Sequence, residues 1–172
     1  MSLRVLFAGG GTGGHLFPGI AVARALVDRY QDTDIVFAGT GRGLEARAVA
    51  KEGFIFKRIR SSGLVGKSTV ARLYALMLAP VTLLDTVRIL FQTRPDLVIG
   101  LGGYSAGPLV LFASLTGKTT MLLEQNVVPG MTNRLLASFV RAAAVSYEES
   151  APFFGDKAFV SGNPVRKGFF VA

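Results

Sequence analysis

Apolar runs of strand length recur along the chain, separated by longer stretches of helical character. The strand-like runs are Leu3–Ala8, Asp34–Ala38, Phe54–Ile59, Asp96–Ile99, Thr119–Leu123, Ala142–Val145 and Ala158–Val160. The helix-like stretches are Phe17–Tyr30, Leu44–Glu52, Val70–Gln92, Ala106–Thr116 and Met131–Phe139. Strands alternating with helices predict βαβ units, hence a parallel sheet covered on both faces. Right-handed crossovers then give an α/β, doubly wound, Rossmann-like domain. In such sheets ligands bind beyond the carboxyl ends of the strands, so the residues that follow each strand carry the most information.

Two strand ends run into glycine. Gly9-Gly10-Gly11-Thr12-Gly13-Gly14 follows the first strand, and Gly100-Leu101-Gly102-Gly103-Tyr104-Ser105 follows the fourth. A strand that turns through glycines into a helix presents backbone N–H groups at the helix's positive end, where an anion is held. Two such turns predict a face built for phosphates. Gly9, Gly11 and Gly14 satisfy the spacing of a dinucleotide fingerprint. The second strand, however, ends in Gly39-Thr40-Gly41-Arg42, with no carboxylate for a ribose. A phosphate loop of the Walker type needs Gly-Lys-Ser/Thr after its glycines. Gly66-Lys67-Ser68 has that tripeptide but neither the upstream glycine nor a preceding strand.

Composition narrows the partners. Of the 172 residues half are apolar, the formal net charge is +8, and there is no cysteine. The chain is long enough for one domain with its own core. Disulfides and thiolate metal sites are excluded, and a reducing cytosol suits the composition. The charge calls for an anionic partner, but the basic residues are scattered and accompany no nucleic-acid-binding motif, so nucleic acid is not expected.

His15, the only histidine, adjoins the first glycine turn. It reads either as a helix-terminal polar residue or as a general base. The positive end of the following helix disfavours imidazolium, leaving a neutral ring able to take a proton. Pro18 is expected in the first turn of that helix. Glu124-Gln125-Asn126 follows the fifth strand and would share the cleft with both turns. Asn126 is suited to sugar hydroxyls, and Glu124 to orienting His15 or a hydroxyl; a polar strand-end loop is the plainer reading.

With these residues assembled, the chain resembles the MurG-type glycosyltransferases. The matches are Gly10 to His15 with Phe17-Pro18, Ser62-Gly63-Leu64 with Gly66-Lys67, Gly102-Gly103-Tyr104 with Gly107-Pro108, Glu124-Gln125-Asn126, Thr132-Asn133, and Gly162-Asn163-Pro164-Val165-Arg166. The resemblance implies the amino-terminal half of a GT-B enzyme that moves N-acetylglucosamine from UDP-N-acetylglucosamine to the C4 hydroxyl of a lipid-linked MurNAc-pentapeptide diphosphate. It implies inversion at the sugar's anomeric centre, no cofactor and no metal. Residues 1–161 would form the acceptor-binding domain and 162–172 the start of a linker, with the carboxyl-terminal donor-binding domain absent and the chain inactive alone. His15 would be the base. Thr12, Gly13, Gly14, Asn126 and Arg166 would contact the donor, and Gly102, Gly103, Tyr104 and Ser105 would cradle the acceptor's diphosphate. A non-catalytic module that binds lipid-linked diphosphate is the alternative.

Leu73–Leu84 is the most apolar stretch. By itself it is too short to span a bilayer, and Pro80 would kink or split it. It is either a core helix or an apolar face dipping into the inner leaflet, with Lys67, Arg72 and Arg88 on anionic headgroups. Given the lipid-linked acceptor that the resemblance implies, peripheral attachment to the cytoplasmic face of the bacterial plasma membrane is expected.

Overall fold

The computed structural model describes residues 2–63 and 68–165, with Ala71 and Arg72 as backbone only. Seven strands form one parallel sheet: β1 (Leu3–Gly9), β2 (Thr33–Gly39), β3 (Ile55–Arg58), β4 (Leu97–Gly102), β5 (Thr119–Glu124), β6 (Ala142–Val145) and β7 (Ala158–Val160). Five helices intervene: α1 (Gly13–Arg29), α2 (Glu45–Lys51), α3 (Thr69–Thr93), α4 (Ala106–Leu115) and α5 (Met131–Leu136). The strand order is β3-β2-β1-β4-β5-β6-β7. The chain builds outward from β1 to β3, returns through α3, and restarts beside β1 at β4. The β1–β4 boundary is therefore the topological switch point, where ligands of such sheets bind.

The two-residue period of the strands divides the core into two layers. Val5, Phe7, Ile35, Phe37, Ile99, Leu101 and Leu123 face Leu16, Ile20 and Ala23 of α1 and Val49 of α2. Phe7 and Phe37 stack there with ring centroids 4.8 Å apart. Leu6, Ala8, Ala38, Val98, Leu122 and Val145 face the other way, towards Ile89, Leu90, Leu109, Val110, Ala113 and Leu136 of α3, α4 and α5.

All seven expected strands form, and three helices depart from expectation. First, α1 begins at Gly13 rather than Phe17, so His15 lies inside its first turn and Pro18 in its second. Pro18 has no N–H to give the Gly14 carbonyl, which leaves that oxygen without its usual helical partner. Second, α5 stops at Leu136, three residues short of Phe139. Carbonyls beyond it are taken by other elements: Lys157 Nζ donates to Ala137 O at 3.0 Å and Ser138 O at 2.8 Å, and Ser114 Oγ donates to Phe139 O.

Third, α3 runs for 25 residues with Pro80 inside it and is not split. Leu73–Thr93, with mean hydropathy 1.6, is long and apolar enough to cross a membrane by length and composition, which corrects the reading of this region as too short. Its buried stripe is narrow: Ala75, Thr82, Thr86, Ile89 and Leu90. Val70, Met77, Leu84 and Phe91, one heptad apart, are each about 70–80% exposed, so α3 packs on the core by one stripe and leaves an apolar face uncovered. Asp85 fixes it to the domain, accepting hydrogen bonds from the Arg60 backbone N–H and Nε, both at 2.9 Å, and from Nη2 at 2.7 Å. Thr82 Oγ1 donates to Arg60 O at 2.6 Å. These bonds hold the Asp85 carboxyl below the ordinary carboxylate range, with the Arg60 side chain the main cause.

Candidate functional site

The two glycine turns meet at the switch point. Gly9 pairs in register with Gly102 after a shift in the β1–β4 ladder, and the Gly10 N–H points at Gly102 O, 3.4 Å away. Both Gly9 (φ 98°) and Gly102 (φ 95°) occupy the left-handed region that favours glycine. A Cβ on Gly9 would collide with Gly102 O and lie 2.8 Å from Ala106 Cβ. The close approach of the turns thus depends on the absence of a side chain.

Three further segments converge there. His15 stands in the first turn of α1, half-buried, with ring atoms Cε1 and Nδ1 each 3.3 Å from where a Gly102 Cβ would lie. Gln125, one residue past β5, places Oε1 2.8 Å from His15 Nδ1. Its other amide atom, Nε2, donates to Leu123 O at 3.2 Å. Ser62-Gly63 passes over the second turn, where a Gly63 Cβ would sit 3.3 Å from Tyr104 Cδ1. Finally, Asn163, Pro164 and Val165 come back over Gly13, Gly14, Phe17 and Pro18, and these seven residues line an open cavity of about 470 Å³.

Glu124 has a different task from the one expected of it. Its side chain is fully buried. Oε1 accepts from the Asn126 backbone N–H at 3.0 Å and from Asn126 Nδ2 at 2.8 Å. Oε2 accepts from the Gly130 N–H at 3.1 Å and from Asn133 Nδ2 at 2.9 Å. Four donors on one carboxylate shape the loop after β5, and the contact with His15 belongs to Gln125 instead. Asn126 is exposed and held by Glu124 through its amide nitrogen.

The remaining expected residues fall as follows. Thr12 is the exposed N-cap of α1, with no side-chain cap bond, and its N–H turns back to Gly10 O. Gly13 and Gly14 open the helix. Gly103 and Tyr104 sit at the mouth of the second turn, Tyr104 39% exposed. Ser105 is the N-cap of α4, with no side-chain cap bond, and is 2% exposed. Arg166, Leu64, Gly66 and Lys67 lie outside the described residues. Among the described residues no group of three or more histidine or carboxylate side chains is placed to hold a metal.

Sequence reasoning missed Gln125 and Asn133 as organisers of the site. The signal was present in the strand period. Leu123 faces α1 and Leu122 faces α4. By alternation Gln125 continues on the α1 side, where His15 stands, whereas Glu124 continues on the side of α5 and Asn133.

With this geometry in place, comparison with known proteins decides the family. Residues 5–145 match the glycosyltransferase family 28 N-terminal domain. The chain belongs to glycosyltransferase family 28. It is 45% identical over 166 residues to a Myxococcus xanthus protein, covering 96% of this chain and 43% of that one. A protein of Anaeromyxobacter sp. strain Fw109-5 is 49% identical over 166 residues, with 96% and 44% covered. Both are named UDP-N-acetylglucosamine--N-acetylmuramyl-(pentapeptide) pyrophosphoryl-undecaprenol N-acetylglucosamine transferase. The crystal structure of Acinetobacter baumannii MurG superposes with a TM-score of 0.79 at 29% identity, over 94% of this chain and 46% of that one. The family 28 chain thus spans somewhat under half the length of these relatives. Its Rossmann-like sheet is that of the amino-terminal half of a GT-B glycosyltransferase.

Proposed function

We propose that this family 28 chain is the acceptor-binding, base-bearing half of an enzyme that transfers N-acetylglucosamine from UDP-N-acetylglucosamine to a lipid-linked MurNAc-pentapeptide diphosphate. The names of its relatives supply the substrate pair. The observation that carries the mechanism is His15, held at the switch point between two glycine turns with its Nδ1 edge on Gln125. In the proposed reaction the acceptor's C4 hydroxyl attacks the anomeric carbon of the donor sugar and expels UDP. His15 takes the hydroxyl proton, and the product has inverted configuration. Helix N-termini at both turns offset phosphate charge: Thr12, Gly13 and Gly14 serve the donor side, and Gly102, Gly103, Tyr104 and Ser105 the acceptor diphosphate. Asn126 binds hydroxyls of the transferred sugar, and Arg166 reaches the donor from the segment after β7.

In this reading residues 1–161 are the domain and 162–172 begin the link to a donor-binding half. The cavity between Asn163–Val165 and Gly13–Pro18 is where that link meets the phosphate turn. The exposed apolar face of α3 rests on the inner leaflet, with Arg88 and neighbouring basic residues on anionic headgroups, so that the enzyme works at the cytoplasmic face of the plasma membrane.

The test joins this chain to the carboxyl-terminal half of its Anaeromyxobacter relative and compares His15 with His15→Ala. Loss of a general base should lower kcat about 10²–10⁴-fold and leave the KM for UDP-N-acetylglucosamine within about twofold, since ground-state binding of the donor is untouched. Equal loss in both parameters would contradict the assignment of His15.

A further inference from the structure

The ring of His15 can act as a base only through a nitrogen that carries no proton, and the structure contains a device that selects which one. Gln125 Nε2 donates to Leu123 O, which turns Oε1 towards the imidazole, 2.8 Å from Nδ1. The flipped amide would set Oε1 against Leu123 O, two acceptors facing one another with no proton between them. An amide oxygen has only lone pairs to offer, so Nδ1 must be the protonated nitrogen. Nε2 then keeps its lone pair. Among the described residues it has no hydrogen-bond partner, and His15 as a whole is half-buried.

We infer that Gln125 is a positioning residue that fixes His15 in the Nδ1–H tautomer and aims an unprotonated Nε2 into the cleft. The inference rests on the reading of His15 as the general base. The side chain is an amide rather than a carboxylate, and that difference has a consequence. A carboxylate at Nδ1 would stabilise imidazolium and fill the base with a proton, whereas a neutral acceptor orients the ring without that charge. The ionisable groups on the elements around the ring are already committed or turned away. Glu124 on β5 is held by Asn126, Gly130 and Asn133. Glu45, behind the first turn, accepts from Thr40 Oγ1 at 3.0 Å through Oε2, and its buried Oε1 lies against Gly10 and Gly39. Arg134 on α5 lies over the Phe153 ring at 5.3 Å, and Tyr104 packs against Gly63.

His15 is the only histidine, so its two ring nitrogens can be read without assignment by long-range proton–nitrogen correlation NMR on the chain labelled with ¹⁵N-histidine. The expected result at neutral pH is one neutral tautomer, protonated at Nδ1. Gln125→Leu should release the ring towards the Nε2–H form, and Gln125→Glu, which keeps the size, should raise the pH midpoint of ring protonation by about one unit or more. An Nε2–H pattern in the parent chain, or the parent pattern persisting in Gln125→Leu with the fold intact, would overturn the inference. A variant Gln125→Glu with an unmoved midpoint would do the same. If the tautomer is as expected while His15→Ala retains full turnover in the joined enzyme, the functional reading fails and the structural device stands.

Discussion

Single atoms decide whether the two glycine turns can meet. Gly9 is confined by Gly102 O on one side and Ala106 Cβ on the other, at a φ of 98°. Gly9→Ala should therefore destabilise the domain by about 2 kcal/mol or more, from backbone strain alone at the lower bound, and urea unfolding will measure it. Gly103→Ala has open space around its Cβ position but a φ of 78°; it should cost only about 1 kcal/mol. At this scale the sequence was partly legible. The meeting of the glycine turns, and the placing of His15 and the Glu124–Asn126 segment beside them, were readable because these residues follow strands whose ends share one edge of the sheet. The exchange of roles between Glu124 and Gln125 was not, because a carboxylate next to a histidine is the commoner arrangement. Only the facing of Leu122 and Leu123 reveals which of the two side chains turns towards α1.

Among the elements, strands were legible and helix ends were not. β1, β2, β4 and β5 are continuous apolar runs because both faces of a parallel sheet are covered. The start of α1 was hidden by Gly13 and Gly14, poor helix formers that continue the glycine run into the helix. Elements are also tied to one another by ion pairs with a predictable pH signature. Arg4 at the start of β1 holds Asp96 before β4 through Nη2 at 2.7 Å and Nε at 3.1 Å, and mainly for that reason the Asp96 carboxyl is lowered to about 2. A carboxylate depressed in the folded state contributes stability above its unfolded value, near 4, and loses it as pH falls towards 2. Asp96→Asn should thus be less stable than the parent at pH 7. The two stabilities should converge as the pH approaches 2, as chemical denaturation across that range will show. A gap that stays constant down to pH 2 would mean that the ion pair is not the cause.

For the molecule as a whole, the exposed heptad stripe Val70, Met77, Leu84 and Phe91 on α3 is an apolar face of the kind that marks an interaction surface. Met77→Asp combined with Leu84→Asp changes only exposed positions, so the fold should hold. Flotation with vesicles containing anionic lipid should fall about tenfold or more, and undiminished flotation would remove α3 from the account. The doubly wound architecture was legible throughout from alternation alone. The exposure of α3 was not, because an apolar helix reads the same whether protein or lipid covers it. The central claim is that this half supplies the acceptor site and the base to a two-domain transferase. The most direct test is transfer of labelled N-acetylglucosamine from UDP to a short-chain lipid-linked MurNAc-pentapeptide, by this chain alone and by the chain joined to the carboxyl-terminal half of its Anaeromyxobacter relative. The account predicts product only from the joined form. A joined protein that folds and binds UDP-N-acetylglucosamine yet makes no product would contradict it, and would leave a domain that binds diphosphate without catalysis.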